Sequence, residues 1–209
     1  MRAGSEVKPA RERILDAAAI VMREKGVANT TTKAIAAAAG YSEAMLYKHF
    51  ADKQELFLVL LKERLPVVRP RLAAPGWGDL AANLAEIVEQ LMNYYADLFP
   101  MSVSIFSAPK LLVQHREGIA RHGGFGPVGP VRMLANYLDA EREAGRIRES
   151  ANTTAAAQLL VGVAFHQGFL AAYEGGTSVE GANGLALAAV ATVLPGLVAS
   201  SDDRKVDIE

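Results

Sequence analysis

The 209-residue chain has no cysteine. Disulfides and thiolate metal ligands are therefore excluded, which fits a cytoplasmic protein. Its 4 histidines are not paired at ligand spacing, so no metal site or other cofactor is expected. Neither charge sign dominates. A net charge of -1 argues against a non-specific nucleic-acid binder. No apolar run is expected to cross a bilayer free of charge, and the opening MRAGSEVKPARER lacks the apolar segment of a signal peptide. No membrane role is expected. Strand-like alternation, internal repeats and low-complexity tracts are missing as well. So are a Ser/His/Asp set, a phosphate loop and a cluster of carboxylates in a pocket, and the chain is not expected to be an enzyme.

What is present is helical. With 51% hydrophobic residues, the chain can bury a real core. Residues 1–10 read as a polar arm, either a plain solvated tail or one whose Arg2 and Lys8, with Arg11 and Arg13 just after, brush phosphates. A first helix over 10–25 carries Ile14, Leu15, Ala18, Val21 and Met22 on one stripe and stops at Gly26. A fourth helix starts near Asp52 and is broken by Pro66 and Pro70. Further helices are expected over 79–98, then 102–114 after a break at Pro100, with Pro109 as a second candidate break. Others follow over 130–144, 152–173 and 180–200, with a glycine- and proline-rich loop over 118–130. Up to residue 64 there are 11 Lys and Arg against 8 Asp and Glu, a balance of +3; beyond it the balance is -4. A mildly basic head on an acidic body suits a chain whose head alone meets phosphates.

Residues 31–53, TTKAIAAAAGYSEAMLYKHFADK, carry the most information. Thr31 can cap a helix whose inner face is Ile35, Ala36 and Ala39. Gly40 can end it in the left-handed conformation. Ser42 can cap the next helix, which turns Leu46 and Phe50 inward and leaves Glu43, Ala44, Met45, Tyr47 and His49 outside. This is a helix-turn-helix, a unit that lays its second helix in the DNA major groove. Thr31 and Lys33, with the amides of the opening turn, suit a phosphate. Tyr47 and His49 can reach the DNA backbone, or else pack on the first or fourth helix. Lys53 can pair with a phosphate across the groove. Glu43, Ala44, Met45 and Lys48 are candidates for base edges: the methyl-bearing pair for thymine methyls, Glu43 for cytosine N4.

The succession of Thr31, Ile35–Ala36, Ala39–Gly40, Ser42, the LYKHF run from Leu46 to Phe50, Lys53 and Leu56 resembles the DNA-binding domain of the TetR family of bacterial transcriptional regulators. The resemblance covers roughly 11–61. Ala44 stands where the family often has glycine, and Met45 where a small or hydroxylated residue is common. The resemblance implies an all-α chain, with a DNA-binding head over 10–55 and an effector-binding, dimerising body over 56–200. It implies DNA contacts from Glu43, Ala44, Met45, Tyr47, His49 and Lys53; with Thr31, Thr32, Lys33, Ser42 and Lys48 these make up the expected DNA-binding set.

In the body, Met92, Tyr95 and Phe99, then Phe106 and Leu111, then Phe165, His166, Phe169 and Tyr173 mix aromatics with sulfur and one histidine. They read either as ordinary core or as the wall of a cavity for a small apolar effector. His115 and His122 read as surface residues. Small and apolar side chains from Ala155 to Val163 and from Leu185 to Leu197 suit a four-helix seam between two subunits. The chain is thus expected to be a homodimeric, ligand-released repressor of a double-stranded operator. An activator on the same scaffold and a non-catalytic helical interaction protein are the rival readings.

Overall fold

The computed structural model describes residues 8–63, 76–121 and 126–198. Among these residues there are α-helices, two short 3-10 turns and no strand. The helices are α1 (Ala10–Asn29), α2 (Thr32–Ala39), α3 (Glu43–Tyr47), α4 (Lys53–Glu63), α5 (Leu80–Phe106), α6 (Pro109–Arg121), α7 (Gly129–Glu143), α8 (Thr153–Tyr173) and α9 (Ala182–Val193). The expected breaks at Pro66 and Pro70, most of the N-terminal arm with Arg2, His122 and the charged C-terminal tail lie outside the described residues.

Short polar side chains start the helices where the sequence puts them. Thr31 Oγ1 accepts from Ala34 N at 3.1 Å, and Ser42 Oγ from Met45 N at 3.3 Å. Asp52 Oδ1 accepts from Glu55 N, Asp79 Oδ1 from Ala82 N and Asn152 Oδ1 from Ala155 N, all within 2.9 Å. Each bond satisfies an amide that the helix itself leaves unpaired.

By packing, the chain forms two compact units. One comprises Met1–Leu65 with Leu98–Gly124, the other Pro66–Asp97 with Phe125–Glu209. In the first, Ile14, Leu15 and Met22 of α1 are buried with Ile35 of α2, Leu46 of α3, Phe50, and Leu56, Phe57 and Leu60 of α4. In the second, Leu84, Leu91 and Met92 of α5 are buried, as are Leu134 and Leu138 of α7, Leu160 and Ala164 of α8, and Val190 of α9.

Several expectations give way. Gly26 leaves helical geometry at φ 71°, but one more turn follows, so α1 is assigned through Asn29. α3 ends at Tyr47, and Phe50 is buried from the turn beyond it. Pro100 does not break α5. A proline removes one helical hydrogen bond, yet Ala96, Met101 and Ile105 around it are all buried, and packing outweighs the loss. The break falls instead before Pro109, which opens α6, where its missing N–H costs nothing. Residues 118–121, expected as loop, are the last turn of α6. Gly118 is buried there, with room for no more than ordinary contact against Leu58 and Gln54. α9 stops at Val193, and a 3-10 turn, Leu194–Gly196, forms around Pro195.

The expected absence of a long uncharged apolar helix also fails. α8 runs 21 residues without Asp, Glu, Lys or Arg, and its mean hydropathy reaches 1.4 over 18 residues. By length and composition it could cross a bilayer, but it caps its own N-terminus with Asn152 and buries Ala157, Leu160 and Ala164 against protein. His115, expected at the surface, is half-buried with its ring 5.6 Å from that of Phe57. Burial lowers the basicity of its imidazole, and Nδ1 is buried without a hydrogen-bond partner.

Candidate nucleic-acid interface

The turn between α2 and α3 is built to hold one geometry. Gly40 adopts φ 74°, and Tyr41 N returns to Ala36 O at 2.9 Å, closing the helix end. Arg13 of α1 then fastens the turn from outside. Its guanidinium donates to Ala39 O at 2.9 Å and to Tyr41 Oη at 3.2 Å, and lies 4.8 Å over the Tyr41 ring. Three contacts from one planar cation fix the angle at which α3 leaves α2.

Arg11 and Lys8 are likewise engaged within the protein. Arg11 makes a two-pronged pair with Glu63 at 2.7 and 2.8 Å and covers the Phe50 ring, and Lys8 pairs with Asp16. Arg11 and Arg13 of α1 thus brace the head, and Lys8 just before that helix is paired as well. No local pattern announces these pairings, because the partners of Arg11 and Arg13 lie 26 to 52 residues away.

The outer face of α3 is open. Ala44, Tyr47, Lys48 and His49 are exposed, Glu43 and Met45 half-buried, and Leu46 fully buried beneath them. Tyr47 is 50% exposed, which disfavours the alternative that it packs on α1 or α4. Thr31, Lys33 and Ser42 are exposed on the same unit, and Thr32 is half-buried. The Thr32 hydroxyl donates to the Glu43 carboxylate and lies 3.2 Å from Tyr47 Oη. Glu43 is therefore tied to α2.

Lys53 sits differently from expectation. Its ammonium donates to Val27 O at 2.9 Å and Thr30 O at 2.8 Å, closing the end of α1. Partial burial lowers its pKa. Thr30 supports the same end, its buried hydroxyl donating to Gly26 O at 2.8 Å. Gly26 also packs so tightly on Ser104 that an added Cβ would lie 2.6 Å from Ser104 Oγ, which itself accepts from Ala28 N.

The residues read as a ligand wall divide between the units. Phe99, Phe106 and Leu111 belong to the first; Phe106 is 71% exposed. In the second, Met92 and Tyr95 are buried, and Phe165 meets the Tyr95 ring edge-on at 5.2 Å. His166, Phe169 and Tyr173 are exposed on α8, with the last two rings 6.2 Å apart.

An all-helical chain with a rigid, capped helix-turn-helix and an open second helix belongs to the class of DNA-binding regulators. The model for "Bacterial regulatory proteins, tetR family" matches residues 14–60. The uncharacterized HTH-type transcriptional regulator YvkB of Bacillus subtilis is 30% identical over 145 residues, covering 68% of this chain and 72% of that protein. Among solved structures, the fatty acid degradation regulator FadR from Bacillus halodurans superposes with a TM-score of 0.64 at 20% identity, covering 91% of this chain and 97% of that one. SmeT, the repressor of the Stenotrophomonas maltophilia multidrug efflux pump SmeDEF, superposes in its triclosan complex with a TM-score of 0.59 at 23% identity, covering 93% and 94%.

The chain belongs to the TetR family of bacterial transcriptional regulators, and it is a DNA-binding regulator of transcription.

Proposed function

We propose that the protein is a cytoplasmic homodimeric repressor, with a DNA-reading head over 10–55 and an effector-binding, dimerising body over 56–200. The observation that carries the reading is the open outer face of α3 beside the capped start of α2. Two heads would read two half-sites about one helical turn, roughly 34–36 Å, apart. Thr31, Thr32, Lys33, Tyr47 and His49 would meet phosphates, and Ala44, Met45 and Lys48 base edges. Lys53 spends two of its three N–H protons on carbonyls, and the third can serve a phosphate.

The apolar faces of α8 and α9 support the dimer. Leu159, Val163, Leu185 and Leu187 are exposed in the single protomer, and a patch of that kind marks an association surface. For the effector we infer a small, mostly apolar molecule bound in the body, near Tyr95 and Phe165; the triclosan bound by SmeT is support by analogy. Such a ligand releases DNA only by favouring the non-binding state by a few kcal/mol.

Selection from a random DNA pool should return a two-part operator, with binding lost for Leu185→Asp because the dimer dissociates in sedimentation. Unspaced single sites, or an unchanged dimer, would overturn the reading of that seam. Lys53→Ala should flatten the slope of log affinity against log salt by about one phosphate, near 0.9. It should also cost stability at the low end of the roughly 1.5–3 kcal/mol of a charge-assisted bond, since the side chain is only partly buried. An unchanged salt slope with lowered stability would leave Lys53 a purely structural clamp.

A further inference from the structure

We propose that Glu43 sets sequence specificity by competing with the DNA backbone, so that DNA lacking the right base is penalised. The inference rests on the reading of α3 as the recognition helix.

Thr32 and Tyr47 bring two hydroxyls to within 3.2 Å of each other, one from the first turn of α2 and one from the end of α3. Both are placed where a phosphate oxygen would approach. In the DNA-free protein the acceptor at that point is the carboxylate of Glu43, which takes the Thr32 proton. A hydroxyl has one proton to give, so the carboxylate and a phosphate cannot both accept it. Two anions within hydrogen-bonding reach of one hydroxyl also repel each other. A phosphate therefore takes the Thr32 proton only after Glu43 has swung away, whereas Tyr47 has a hydroxyl proton of its own.

Where Glu43 goes depends on the base sequence. It stands on the first turn of α3, the part of a recognition helix that meets base edges. Opposite a cytosine, its freed carboxylate accepts from the N4 amino group. Opposite guanine or thymine it faces acceptors or a methyl group, and opposite adenine the N6 amino group stands beside the N7 acceptor, which repels a carboxylate, so the bond given up to Thr32 is replaced best at cytosine. One side chain thus links a contact that is blind to sequence with one that is not. The device works by disfavouring wrong DNA as much as by attracting the right DNA.

The test uses the full-length protein, the operator selected with it, the same duplex with the Glu43-facing position changed, and a random duplex. Glu43→Ala should tighten binding to the random duplex about tenfold, leave operator affinity within a few-fold, and remove discrimination at one position per half-site. Glu43→Gln should also tighten binding to the random duplex, because the amide carries no charge to repel a phosphate, but its carbonyl still accepts from an amino group and its preference should shift toward adenine. Thr32→Val should weaken operator and random DNA alike in the presence of Glu43. Circular dichroism and melting of each variant establish that the head is folded. If folded Glu43→Ala binds both duplexes more weakly by the same factor, Glu43 only positions Thr32 and Tyr47, and the proposal fails. If affinity for the random duplex is unchanged, it fails too. Absence of any sequence preference in the unaltered protein would instead bring down the reading of α3 itself.

Discussion

Arg146→Ala should cost about 3–5 kcal/mol of stability, more than any change on the DNA-facing surface. Glu141 of α7 is completely buried. Arg146 grips its carboxylate with two bonds, Nε to Oε2 at 2.7 Å and Nη2 to Oε1 at 2.6 Å. The same guanidinium donates to Gly78 O at 2.6 Å and Trp77 O at 3.2 Å, and Gly76 N donates to Glu141 Oε2 at 3.0 Å. The segment entering α5 is thereby pinned to the end of α7. Without Arg146, a buried charge loses its counter-ion and two carbonyls lose a donor.

The pH dependence identifies the cause. Burial pushes the Glu141 carboxyl up, but Arg146, the Tyr137 hydroxyl and the Gly76 amide outweigh it and hold the pKa below the ordinary 4.5. A depressed carboxylate contributes stability that is present above its unfolded value and lost as pH falls through the folded one. Tyr137 stays a donor throughout, since burial and Glu141 push its pKa up to about 12. In Arg146→Ala the strongest favourable partner is gone, burial dominates, and the carboxyl prefers its proton. Urea melts at neutral pH should show the full loss, and melts near pH 4 a distinctly smaller one. An equal loss at both values would mean that the cost is packing and not charge. Replacing the pair together, Glu141→Leu with Arg146→Met, should recover much of the stability, because no unpaired charge remains.

Local chemistry made much of this fold legible. Thr31, Ser42, Asp52, Asp79 and Asn152 each stand one residue before an apolar, helix-periodic run, and all five cap. The outer face of α3 could be read for the same reason: Leu46 must point inward, and that fixes where Ala44, Tyr47 and Lys48 point. Pro100 misled because its cost is local while the burial that overrides it is not. Arg13, Lys53 and Arg146 were illegible for a related reason. Their carbonyl partners are chosen by the tertiary fold and leave no pattern in the neighbouring sequence. The body was hardest. α8 is apolar on every side, so spacing cannot tell which of its aromatic residues turn inward. Phe165 meets the Tyr95 ring yet is 48% exposed, much like Phe169 at 45%, and Tyr173 is more open than either.

The small residues of α8 show the same ambiguity, and the structure resolves it at Gly168. An added Cβ would lie 2.5 Å from Tyr95 Cβ and 2.8 Å from both Ala96 N and Met92 O of α5. Two of those three atoms are backbone and cannot rotate aside. At Gly162, by contrast, nothing in the protomer lies within 4 Å. Gly168→Ala must therefore force α5 and α8 apart, and the expected loss is at the upper end of the roughly 1–3 kcal/mol typical of overpacking. Helix propensity works the other way, since alanine in a helix interior gains about 0.5–1 kcal/mol over glycine. The net sign thus measures how rigid the seam is. Urea unfolding should show an earlier midpoint, and near-ultraviolet circular dichroism should change as the Tyr95 and Phe165 rings separate. DNA affinity per folded molecule should hold, because α2 and α3 are untouched. A midpoint that stays or rises would mean that α5 yields to the methyl group at little cost, and the close approach of the two helices would not then contribute to holding the body together.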